Sequence, residues 1–164
     1  MVSWAAFQTK APELAALGEE RFDRTGVILL GTIRADGRPR ISPVEPVITD
    51  GELYLGMMWQ SKKALDLLRD PRCLVHSTVS DREGKDGEFK AYGQARAVAD
   101  ADDRERYCQA LFAKIEWRPE GEEWHLFNLD IDEVGYTRFG EGKQWVQTWR
   151  PGGPPTPLMA KRAP

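Results

Sequence analysis

Three consecutive residues, Ser61, Lys62 and Lys63, place a hydroxyl and two ammonium groups at the start of a helical pattern. Such a set suits an anion. The run from Ser61 to Pro71 predicts a short helix: Ser61 is a favoured N-cap, Ala64, Leu65 and Leu68 share a face, and Pro71 ends it. Two lysines in a first turn meet the positive end of the helix dipole, and no Glu or Gln completes a capping box. A phosphate held by free amides, hydroxyl and ammonium groups would resolve that mismatch. The alternative is a solvated helix start in which Asp66 partly compensates Lys62 and Lys63. That pairing is worth roughly a few tenths of a kcal/mol in the Lys-before-acid order.

Other chemistries find less support. Ser42 and Ser77 lack a G-x-S-x-G setting, and His76 and His125 are the only histidines, too few for a histidine-rich metal centre. Cys73 and Cys108 are far apart without a C-x-x-C, so neither a zinc site nor a disulfide framework is expected. His76 sits among Leu74, Val75 and Ser77 and reads as a structural imidazole. Asp130 and Asp132 share a strand face with Glu133 opposite, which favours a solvent face over an acid–base pair. Dinucleotide and nucleotide-triphosphate fingerprints are absent. Trp59 either lines a pocket or fills the core, and Trp145 and Trp149, four apart on a strand, share a face.

The elements that must carry these residues are mostly strands. Residues 4–22 predict helix, interrupted or kinked at Pro12. Strands are expected at 27–30, 38–48, 53–58, 73–79, 88–99, 125–138 and 145–149, with Asp36-Gly37 and Asp50-Gly51 as hairpin turns and a bulge at Gly93. Pro39, Pro43 and Pro46 make the second strand irregular or edge-like, which leaves peptide groups free for a ligand or merely protects an edge. A helix over 102–115 should bury Tyr107, Leu111, Phe112 and Ile115. The expected architecture is mainly β with flanking helices: six to seven antiparallel strands in one small split barrel over residues 1–150, then a loose proline-rich tail at 151–164.

At 164 residues, with 41% hydrophobic and 30% charged residues, the chain suits one globular domain with a real core. Net charge −3 with interspersed signs argues against nucleic acid. Without a membrane-length apolar run or a signal-peptide pattern, a soluble cytoplasmic protein is expected.

From Gly31 to Pro71 the order Arg40, Ser42-Pro43-Val44, then Ser61-Lys62-Lys63, then Asp70-Pro71-Arg72 resembles the pyridoxamine 5'-phosphate oxidase-like split β-barrel flavoproteins. The likeness continues more weakly through Phe89 to Ala95 and covers roughly residues 22–115. It implies that Ser61, Lys62 and Lys63 hold a flavin phosphate, with Arg40 as a second cationic contact. It implies further that the backbone of Ile41, Ser42, Pro43 and Val44 lies along the isoalloxazine, with Met57, Met58 and Trp59 near the ring or side chain. The carboxy-terminal Trp and Arg-x-His set of authentic oxidases has no counterpart near Trp145 to Arg150, so pyridoxal phosphate synthesis is not expected. The chain is similar instead to short bacterial relatives using FMN or the deazaflavin coenzyme F-420; haem, used by a third group, is the lesser alternative. The resemblance thus implies an oxidoreductase acting on a small molecule, as a homodimer with cofactor between subunits. The rival readings are a flavin- or haem-binding carrier or redox sensor, and a barrel for another phosphorylated molecule. It assigns neither catalytic residue nor metal.

Overall fold

Thirteen elements form in chain order among residues 1–162, the part described in the computed structural model. Two helices come first, α1 (Trp4–Lys10) and α2 (Pro12–Thr25). The break falls at Ala11 because Pro12 has no N–H to continue α1, yet its fixed φ suits the first position of α2. Then follow β1 (Ile28–Ile33), β2 (Pro39–Val44), β3 (Pro46–Thr49), β4 (Glu52–Met58), α3 (Lys62–Arg69), β5 (Arg72–Ser77), β6 (Glu88–Ala97), α4 (Ala101–Ile115), β7 (Trp124–Gly140), β8 (Lys143–Trp149) and β9 (Met159–Arg162).

The strands form one antiparallel sheet in the order β2-β1-β5-β6-β7-β4-β3, with β8 beside β7 and β9 beside β8. The strand expected over 38–48 is two strands. Residues up to Val44 pair with β1, and those from Pro46 pair with β4, with Glu45 at the corner. Pro46 lacks the N–H needed to extend the first ladder. The turn between β3 and β4 has left-handed backbone at both Asp50 (φ 48) and Gly51 (φ 79), as the Asp-Gly signal requires. The register also shifts at Tyr92/Gly93, where the bulge was expected. Only glycine fits there: a Cβ on Gly93 would lie 2.0 Å from the Asp130 carbonyl oxygen.

Alternate residues of the strands face a core that includes Leu30, Leu55, Val75, Ala91, Leu129 and Val134. Trp4, Phe7 and Phe22 join it from α1 and α2, packing around Phe89, while Trp149 packs tilted against Phe7. A second, smaller cluster lies where α4 meets β3, β4 and β7, built from Val47, Tyr54, Tyr107, Cys108, Leu111, Trp124 and Leu126. Gly56 makes this approach possible, since any Cβ there would fall 2.0 Å from the Tyr107 hydroxyl. α4 is narrower in its burial than expected: Phe112 and Ile115 are exposed, because the contact runs along the stripe of Tyr107, Cys108 and Leu111.

Two further expectations need correction. The proline-rich segment is not loose over its described part: Thr156 exchanges hydrogen bonds with Thr148, and β9 pairs with residues 143–146 of β8. β8 would otherwise present an open edge, and Pro154, Pro155 and Pro157 all precede the ladder that covers it. Nor is Asp130 on a solvent face. It is buried and ion-paired with Arg96, while Asp132 is exposed beside the amino terminus. The bulge at Gly93 changes the simple alternation on which that reading rested.

Candidate functional site

The corner between β4 and α3 holds Met58, Trp59, Ser61, Lys62 and Lys63, and Lys63 reaches from it to β2. β4 ends at Met58, and a turn closed by the Ser61 N–H on the Met58 carbonyl (3.1 Å) leads into α3. Gln60 takes left-handed backbone in that turn (φ 54). Its N–H donates to His125 Nε2 at 3.3 Å, and the Trp59 indole stacks on the same imidazole, 4.5 Å between centroids and 11° from parallel. Burial, aided by the Arg104 charge, pushes the His125 imidazolium down from its ordinary value. A neutral ring is the form that can accept from Gln60. His125 thus positions Trp59, a role for which its place on an alternating strand offered no signal.

Ser61 occupies the N-cap position of α3 with extended ψ, but its hydroxyl caps nothing. Ser61 Oγ is buried and without a hydrogen-bond partner among the described residues. Lys63 is half-buried and its Nζ lies 3.4 Å from the Pro43 carbonyl of β2, with no carboxylate paired to it among the described residues. Burial lowers its ammonium pKa from the ordinary lysine value. Lys62 is exposed beside it. Ser61, Lys62 and Lys63 thus bring a hydroxyl and two ammonium groups to the first turn of α3, where no carboxylate is paired to them among the described residues, a donor set that fits a phosphate.

Asp66 does not compensate these lysines. It turns inward, 4% exposed, and its Oδ2 accepts from Thr32 Oγ1 (2.9 Å) and Arg40 Nε (2.7 Å). Thr32 and Arg40 are direct partners on β1 and β2, so one carboxylate oxygen spans the strand pair. Arg69 approaches Asp66 Oδ1 at 3.6 Å. Burial raises the Asp66 pKa, but the hydrogen bonds from Arg40 and Thr32, with the Arg40 and Arg69 charges, outweigh it and leave the carboxyl below its ordinary value. The buried face of α3 is accordingly Ala64, Asp66 and Leu67, while Leu65 and Leu68, expected on a common inner face, are exposed.

β2 ends the sheet order, so one edge of its backbone has no strand beside it among the described residues. Val44 is buried, Ser42 is half-buried, and Ile41 and Pro43 point outward, Ile41 being 71% exposed. On β4, Met57 is buried and Met58 is 80% exposed. Met57, Met58 and Trp59 also border a groove of about 440 Å³ that reaches to α4 and the loop after it. That loop carries no obvious signal in the sequence.

The strand order and the helix-flanked barrel are those of a split-barrel protein. Residues 17–138 match the family model described as pyridoxamine 5'-phosphate oxidase, and the chain belongs to that family. Among solved structures, it is similar to a NimC/NimA family protein from Clostridium acetobutylicum, with TM-score 0.65 and 14% identity over 87% of this chain and 96% of that one. A conserved hypothetical protein from Mycobacterium tuberculosis gives TM-score 0.63 and 19% identity, covering 73% of this chain and 81% of the other. A heme binding protein from Mycobacterium smegmatis gives TM-score 0.59 and 18% identity over 80% of this chain, which spans 57% of that protein's length. No curated protein sequence matches. Among the described residues no helix is long and apolar enough to cross a membrane.

Proposed function

We propose that the chain is a flavin-dependent oxidoreductase of the cytoplasm, binding FMN or the related deazaflavin coenzyme and acting on a small organic molecule. The observation that carries this reading is the unanswered donor set at the start of α3, above all the buried, unpartnered Ser61 Oγ. Flavins are the typical cofactors of the family to which the chain belongs. Ser61, Lys62, Lys63 and the first amides of α3 would hold the phosphate. Arg40, fixed through Nε by Asp66, keeps its terminal nitrogens free of protein acceptors among the described residues and adds a second cation. The open edge of β2 from Ile41 to Val44 offers peptide groups to the polar rim of a flat ring, with Met57, Met58 and Trp59 as apolar neighbours. A bound flavin supplies the hydride or electron-pair chemistry, so the protein's part is orientation and charge. The unpaired buried thiols of Cys73 and Cys108 suit a reducing compartment.

The same reading includes a homodimer with the cofactor between subunits. An outward row runs across four strands through Ile41, Gly31, Leu74 and Tyr92, and Ile41 and Tyr92 are exposed in the single chain. A second copy would cover it. Light scattering should give twice the chain mass, and Ile41→Glu should shift it toward one; a monomeric wild type rejects the dimer.

Haem is the weaker alternative, although one structural neighbour bears a haem-binding name. Both histidines are engaged. His76 Nδ1 lies 2.5 Å from the Ser77 carbonyl with Nε2 3.4 Å from Glu88, and His125 Nε2 accepts from Gln60. Titration with FMN and with the deazaflavin, followed by fluorescence, tests the assignment. Saturable binding of one is expected, with turnover of the bound cofactor by a donor or acceptor faster than the free cofactor shows. Binding without turnover makes the protein a carrier or sensor; failure of both flavins rejects the reading.

A further inference from the structure

The groove beside Met58 and Trp59 has a different chemistry from the lysine-bearing corner it adjoins. Its volume of about 440 Å³ lies in the range of small-ligand sites. None of Ser61, Lys62, Lys63 or Arg40 lines it. The walls are aromatic: Trp59 and Trp117 are each about half exposed, at 49% and 56%, while Tyr107 and Trp124 form a stacked, buried floor.

The charged residues on its rim are Glu45, Glu120 and Glu123, and none of the three has an ion-pair partner among the described residues. The loop from Glu116 to Glu123 does contain a cation, Arg118, but Glu105 of α4 engages it with paired hydrogen bonds at 3.2 and 2.8 Å. Arg104 is likewise diverted. Its guanidinium lies 3.7 Å from the Trp124 ring centroid, and Nη2 donates to the Glu122 and Trp124 carbonyls. Arg104, Glu105 and Arg118 line a separate depression in which the three groove glutamates take no part. The loop thus separates its charges, with its arginine neutralised on one side and carboxylates left unmatched on the other.

We propose that this groove binds a flat organic cation, an aromatic ring bearing or adjoining a positively charged nitrogen. The indole faces of Trp59 and Trp117 supply stacking and cation–π attraction, and the three carboxylates supply the opposing charge. Because Met58 and Trp59 also border the candidate cofactor site, the cation would be the substrate of the reaction proposed above; only that last step rests on the flavin reading. A phosphorylated or carboxylate-bearing substrate is disfavoured at the groove by the same three glutamates.

The test uses the full chain without added flavin and two probes that share one bicyclic ring, N-methylquinolinium and neutral quinoline at pH 8, in isothermal titration calorimetry. The cation should bind at least ~10-fold more tightly than quinoline. The exposed double substitution Glu120→Gln/Glu123→Gln should reduce that preference ~5-fold or more without weakening quinoline. Trp117→Ala should weaken both probes. Equal affinity for the two probes, an unchanged preference in the double variant, or no binding by folded protein would each overturn the proposal. FMN titrated separately into the same preparations reports on the cofactor reading alone, so the failure of one is not taken for failure of the other.

Discussion

The first turn of α3 and its middle lie one turn apart and treat charge in opposite ways. In the middle, Asp66 is matched on every side: Thr32 and Arg40 on one oxygen, Arg69 near the other. In the first turn, among the described residues, Lys62 and Lys63 pair with no carboxylate and Ser61 Oγ has no hydrogen-bond partner. A buried polar group without a partner costs stability, so a saturated network marks structure and an unsaturated one marks a place held open for something else.

Substitutions can break that contrast, and the largest effect belongs to the saturated side. Asp66→Ala should lower stability by about 2–3 kcal/mol in urea unfolding, below the usual range for breaking a buried pair because Arg40 is 25% exposed. The pH dependence has a defined sign. Since the folded Asp66 pKa is depressed, its contribution is full above the unfolded value of ~3.9 and is lost as pH falls through the folded value. Stability of the wild type should therefore decline on acidification more steeply than that of Asp66→Asn, and parallel curves would remove Asp66 from the network's acid response.

On the unsaturated side the effects should fall on binding. Lys63→Ala should weaken FMN binding by ~10–100-fold while changing unfolding free energy by less than ~0.5 kcal/mol. FMN affinity should also fall as pH rises through the lowered Lys63 pKa, and Lys63→Arg should push that fall to higher pH. Ser61→Ala sharpens the contrast further. An N-cap serine usually contributes about 1 kcal/mol, but this one makes no cap bond, so stability should hold while FMN affinity drops ~5-fold. A stability loss of the usual size would mean that Ser61 caps the helix after all. Lys62→Ala, at an exposed position, should cost only ~2–5-fold in affinity.

What was legible in the sequence was local. The helix from Ser61 to Pro71, the Asp50-Gly51 hairpin and the Gly93 bulge depend on residues within a few positions of one another. The destination of the Asp66 carboxylate was hidden because it is decided by Thr32 and Arg40, 34 and 26 positions away. His125 beneath Trp59, and the groove joining Glu45 to the loop after α4, depend on the same long-range pairing of β4 with β7 and packing of α4. Split strands and the β9 edge were missed for another reason: prolines announce interruption but not what pairs on either side of it.

β7 is 17 residues long and serves three neighbours, with β6 along one flank and β4 then β8 along the other. During synthesis β4 and β6 leave the ribosome with flanks that only β7 will cover, and β7 is made after both. The barrel therefore cannot close as the chain emerges; its assembly waits on one late strand and proceeds through long-range pairing, which is slow and exposes strand edges meanwhile. A nascent or truncated chain ending before Trp124 is the form of this protein most exposed to aggregation.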